Sequence, residues 1–205
     1  MKARSRVAIV FATALAVAVG LVSAPPAAGS MAGSDRPQRN PLCEVSVQRI
    51  ADLWGAMETW AGAQKESGDA VAEAMSQMLG SSDPSDLEVL EMQKEVAQDD
   101  LKRVRDFQAR EMQADLSELL RLSGQLRSSV PRKHHSYVKA RVAKIRSLYK
   151  EHWSGVFAST FISAYQALTG ADIQGWASLT EPLPAKVTLA HDAFDQSFRG
   201  LPKLC

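Results

Sequence analysis

Few residue types in this 205-residue chain could do chemistry: two cysteines, four histidines and a dense run of basic side chains. The cysteines are Cys43 and Cys205, the second being the last residue. Two cysteines and no more, in a chain bound for an oxidising compartment, predict one intramolecular disulfide. Such a bond closes almost the whole mature chain into one loop. In chain-entropy terms that contributes roughly 5 kcal/mol by restricting the unfolded state. It also requires the two ends of the fold to lie together.

The histidines are His134, His135, His152 and His191. A helical metal site needs ligands three or four residues apart on one face, or paired Glu-x-x-His segments. His134 and His135 are adjacent, so their side chains diverge, and their neighbours are cationic. His152 with His191 remains as a composite pair. Haem is a further reading, with a histidine beside Tyr149 or Trp153, although no Cys-x-x-Cys-His occurs. Met57, Met75, Met78, Met92 and Met112 have the sulfur that copper(I) favours. Met57, Met75 and Met78, however, sit on a helical seam where methionine fills gaps. No Gly-x-Ser-x-Gly, phosphate loop or His-Glu-x-x-His is present. These readings imply no cofactor, no metal and no catalytic residue.

The basic run is the unusual feature. Net charge is +1, yet residues 119–150 contain no Asp or Glu. In that span lie Arg121, Arg127, Arg132, Lys133, Lys139, Arg141, Lys144, Arg146 and Lys150. On a helix, Arg132, His135, Lys139, Arg146 and Lys150 share one side, next to an apolar stripe of Val138, Val142, Ile145 and Tyr149. Two accounts stay open. One is a docking surface for an anionic membrane, an envelope polyanion or an acidic protein. The other is internal pairing with the acids of the first helix, Glu44, Asp52, Glu58, Glu66, Asp69 and Glu73, with the remaining cations simply solvated. Nucleic acid is not an expected partner for an exported protein, and a homodimer is compatible with the pattern.

Helices must position these groups. Val47, Ile50, Trp54, Met57, Ala61, Gln64, Gly68, Val71, Met75 and Met78 alternate by three and four, a heptad seam. Its middle is small or polar, so a large side chain from a neighbour is expected there, or a pinch. Asn40-Pro41 opens this helix and Gly80 ends it. Asp83-Pro84 opens the next, with Ser85 and Glu88 as an alternative capping box. Leu87, Leu90, Leu101, Val104, Met112, Leu116, Leu119 and Leu126 fall mostly on one face of it, and residues 91–111 are very polar, which predicts a wide solvent face. The third helix runs from Pro131 to about Leu168. Residues 171–184 form a connector in which Trp176 is a lid or part of a short helix. A short amphipathic helix follows, with Val187, Ala190, Phe194, Phe198 and Leu201 on its apolar face.

The predicted fold is all-α: an elongated antiparallel bundle of three long helices plus a shorter C-terminal helix. Residues 41–205 form this single domain. Residues 1–29 read as a signal peptide, with Lys2, Arg4 and Arg6 before the apolar run Val7–Val22, and residues 30–40 as a flexible leader. An uncleaved anchor is the alternative. The chain is therefore expected outside the cytoplasm, secreted or periplasmic, as a non-enzymatic binding, adaptor or structural protein. Peripheral binding of an anionic surface and carriage of a small ligand or haem are the two alternatives.

Overall fold

The computed structural model describes residues 40–205, so the predicted signal peptide and leader lie outside the described residues, apart from Asn40. Every regular element among the described residues is helical. The long elements are α1 (Pro41–Met78) and α2 (Pro84–Ser129). A third long rod is built from α3 (His135–Leu148), a π-helical stretch (Tyr149–Ala158) and α4 (Ser159–Thr169). Two shorter helices follow, α5 (Ile173–Thr180) and α6 (Leu183–Phe198).

The caps explain the boundaries. The Asn40 side chain accepts from Leu42 N at 3.1 Å while its own amide donates to Ser129 O at 2.8 Å. One residue thus starts α1 and ties it to the end of α2. Asp83 caps α2 through Ser85 N at 2.9 Å, with Pro84 supplying the first helical residue. Gly80 takes a φ of 101°, a left-handed conformation costly for a residue with a Cβ, and turns the chain between α1 and α2.

The rods alternate in direction. Tyr149 packs edge-on to Trp54 near the start of α1, and Tyr165 donates to Gln64 O further along, so the third rod runs parallel to α1. α6 runs the other way: His191 meets Glu58 on α1, and Phe194 then stacks on Trp54 at 4.4 Å. The chain end therefore returns to the head of α1. There Cys43 and Cys205 form the expected disulfide, with α-carbons 5.4 Å apart and a sequence separation of 162.

The α1 seam is buried as its heptads predict, with Gln64 and Met78 partly exposed. Its small centre is filled from α5. The Trp176 indole lies against Gly68 so closely that a Cβ there would sit 1.9 Å from the ring. Trp176 Nε1 also donates to Asp69 at 3.0 Å.

Two expectations need correction and a third is incomplete. Leu87 is 49% exposed, because helical periodicity sets it roughly 60° from Leu90, at the edge of the buried stripe. Residues 91–111 of α2 have the wide solvent face expected of them, yet the opposite side buries Gln93, Ala97 and Asp100 beside Leu101 and Val104. Asp100 is 4% exposed and accepts from Ser67 of α1 at 2.9 Å and from Arg103 at 3.3 Å. The third rod is not a uniform α-helix, since it widens into π-helix through its centre.

That widening has a cause in the sequence. Tyr149, Trp153, Phe157, Phe161 and Tyr165 recur every four residues, and all are essentially buried. In an α-helix each four-residue step overshoots a full turn by roughly 40°, so the five rings would spread around the rod. A π turn takes more residues per turn, so the same step undershoots and swings the ladder back toward the core. The rings pack mainly edge-to-face: Trp153 is perpendicular to Trp60 at 4.8 Å and to Phe107 at 5.5 Å. Among the described residues, the Trp153 indole N–H is fully buried and has no hydrogen-bond partner.

Candidate anionic docking face

α3 lies on α2, and its register is fixed by two bonds. Arg146 Nε donates to Leu116 O at 3.0 Å, and Tyr149 OH donates to Asp115 Oδ2 at 2.5 Å. Burial raises the Asp115 carboxyl above the ordinary range, against the Tyr149 bond, which lowers it. Burial, followed by the bond and charge of Asp115, raises the Tyr149 phenol, which stays neutral. The pair is a structural clamp, holding the apolar stripe Val138, Val142, Ile145 and Tyr149 inward.

Helical geometry then presents the stripe beside it outward. Arg132, Lys139, Arg146 and Lys150 are exposed, and His135 is half-buried with Nε2 3.1 Å from Val130 O. α2 extends this face. Leu116, Leu120 and Arg127 fall on one side of α2 at helical spacing, and Leu116 is where Arg146 attaches. Arg127 is exposed and Leu120 is 60% exposed on that side of α2.

The other basic residues do different things. Arg121 makes two 2.6 Å bonds to Glu118 on its own helix. Arg141 bonds Gln196 O at 3.3 Å and lies 5.1 Å over the Tyr137 ring, fastening α6. Lys133 and Lys144 are exposed away from the stripe.

Internal pairing with α1 does not describe this arrangement. Among the described residues, no ion pair joins a cation of residues 127–150 to an acid of α1. Several of those acids have partners elsewhere. Asp52 accepts from Gln48, Glu58 from Trp54 and His191, Asp69 from Lys65 and Trp176, and Glu73 from Gln77.

Among the described residues, no group of three His, Cys, Asp or Glu side chains could hold a metal. His191 engages Glu58 at 2.8 Å and lies 3.7 Å from Asp195. Met57, Met75 and Met112 are core residues, Met78 packs against the core, and Met92 is exposed. Tyr149 and Trp153 are fully buried among other side chains. No helix among the described residues is long and apolar enough to cross a membrane. The disulfide fits an oxidising compartment.

Fold and face together define an all-α, disulfide-closed bundle with one cationic edge. No protein-family model matches the chain, and no curated protein or solved structure matches it either.

Proposed function

We propose that this protein is an exported, non-enzymatic helical bundle that docks on an anionic lipid surface. The docking face is Arg132, His135, Lys139, Arg146 and Lys150, extended by Arg127 and Leu120 of α2. One observation carries this reading: the stripe's cations are exposed and have no ion-pair partner among the described residues. Unpaired cations on a rigid edge can approach phospholipid headgroups together, each contributing about 1 kcal/mol near an anionic bilayer. The exposed Leu120 supplies an apolar contact at headgroup depth. Export rests on the basic and apolar pattern of residues 1–29, supported by the disulfide.

Co-sedimentation with vesicles tests it. Binding is expected on phosphatidylglycerol-containing vesicles at low salt, with loss at high salt and none on pure phosphatidylcholine. Equal binding to both vesicle types, or to neither, refutes the reading. Binding to an acidic protein but not to lipid would make the bundle an adaptor instead.

A further inference from the structure

Unpaired cations continue along α2 beyond the basic run. Lys102 and Arg105 are exposed, and neither has an ion-pair partner among the described residues. The sequence hides them among Asp99, Asp100 and Asp106. The fold separates them from those acids. Asp100 is buried against Ser67 of α1 and bonded to Arg103. Asp106 pairs with Arg110 at 3.2 Å. Asp99 stands roughly 60° round the helix from Lys102, on the flank away from the third rod.

An α-helix turns about 100° per residue, so Lys102, Arg105, Leu116, Leu120 and Arg127 share an arc of about 60°. That arc faces the third rod, because Leu116 O takes the Arg146 bond. The other flank faces α1, where Phe107 stacks on Trp60 at 4.2 Å. The two rods stay in step: Arg146 lies opposite Leu116, Tyr149 opposite Asp115 and Trp153 opposite Phe107. Continuing that step sets Lys102 and Arg105 level with residues 155–160, past the last cation of the third rod, Lys150. Between Lys150 and Asp172 that rod holds one acid, Glu151. One edge of the bundle thus carries cations from Arg127 to Lys102, a rise of about 38 Å along α2. Beyond Lys102 the same arc meets Glu91, where the edge ends.

We infer that Lys102 and Arg105 belong to the lipid-docking site and that the bundle lies lengthwise on the membrane, with its long helices in the bilayer plane. This rests on the docking function proposed above and adds an orientation to it. The surface potential acts over a Debye length, about 10 Å at 0.1 M salt. Cations about 38 Å apart both enter that layer only when α2 tilts less than about 15° from the plane. The length also sets the class of ligand. A single headgroup reaches one or two of these cations, so the edge fits an extended anionic surface and not one lipid molecule.

The test is partition of the purified protein onto phosphatidylglycerol vesicles at low salt. Beside it stand a Lys102→Gln, Arg105→Gln variant and a Lys133→Gln, Lys144→Gln variant, which loses equal charge away from the edge. All four side chains are exposed and lack ion pairs, so both variants should keep the native far-UV spectrum. Partition should fall about thirtyfold in the first variant and less than about threefold in the second. Polarised infrared dichroism of the native protein on a supported bilayer of the same lipid reads the orientation without any substitution, and helix axes in the plane are expected. Equal losses in the two variants, or upright helices, overturn the inference and leave docking through α3 standing. A native protein that binds a linear anionic polysaccharide and ignores the vesicles overturns both.

Discussion

Gly68→Ala should destabilise the protein, although glycine-to-alanine changes inside helices usually stabilise. The new Cβ would sit 1.9 Å from Trp176 Cη2 and 2.1 Å from Cζ2, where an ordinary contact needs roughly 3.5 Å or more. The indole must therefore retreat by roughly 1.5 Å, because a rigid ring cannot absorb the overlap at its tip. That movement strains the 3.0 Å bond from Trp176 Nε1 to Asp69 and the 5.2 Å ring contact with Tyr165. Overpacking costs about 1–3 kcal/mol, and a weakened bond to a carboxylate adds about 1–2 kcal/mol. The helical preference of alanine returns about 1 kcal/mol. The net is a loss of about 1–4 kcal/mol, or about 2–16 °C in melting temperature for a chain of this size. Thermal unfolding followed by far-UV circular dichroism measures it. Gly124→Ala is the comparator: no atom lies within 4 Å of its Cβ, so it should gain up to about 1 kcal/mol. Equal effects of the two substitutions would refute the packing of Trp176 on α1.

Reducing the Cys43–Cys205 bond, which spans 162 residues, should lower stability by at most about 5 kcal/mol and the melting temperature by about 10–20 °C, with helix content kept. An unchanged melting temperature after confirmed reduction contradicts this. His191 is held above its ordinary pKa, mainly by its bond to Glu58, with Asp195 and Asp192 adding to the effect. The folded form thus binds its proton more tightly than the unfolded form. The resulting stability is full below the ordinary histidine range and is lost as pH rises through the folded pKa. Between about pH 6 and about pH 8, the native protein should lose slightly more stability than His191→Gln. Parallel pH profiles would show that the Glu58 contact has no energetic weight. Tyr165→Phe removes a buried 2.7 Å bond to Gln64 O and should cost about 1 kcal/mol by denaturant titration.

How far the sequence revealed this structure varies element by element. The α1 seam was legible because large side chains alternate by three and four, and the Asn40 and Asp83 caps because each precedes a proline. The gap at Gly68 was visible, but its filler lay 108 residues away and no local pattern names Trp176. Asp100 was hidden by the charges around it. Yet Gln93, Ala97, Asp100, Leu101 and Val104 share a helical spacing that outweighs their polarity, and all are buried. The π stretch had a signal too, in aromatic residues spaced strictly by four. The basic stripe was readable as a face of α3. Its attachment through Arg146 to the Leu116 carbonyl was not, because any backbone oxygen on a neighbouring helix can accept that bond.

The docking face is tested most directly by partition onto anionic vesicles of the native protein beside a variant carrying Arg132→Gln, Lys139→Gln, Arg146→Gln and Lys150→Gln. At about 1 kcal/mol per cation, the four changes should weaken partition by about three orders of magnitude. Losing the Arg146 bond to Leu116 O should cost only about 1 kcal/mol of stability, so the variant stays folded. Native-like partition by a folded variant, or a loss of several kcal/mol in stability with binding intact, would contradict the docking face.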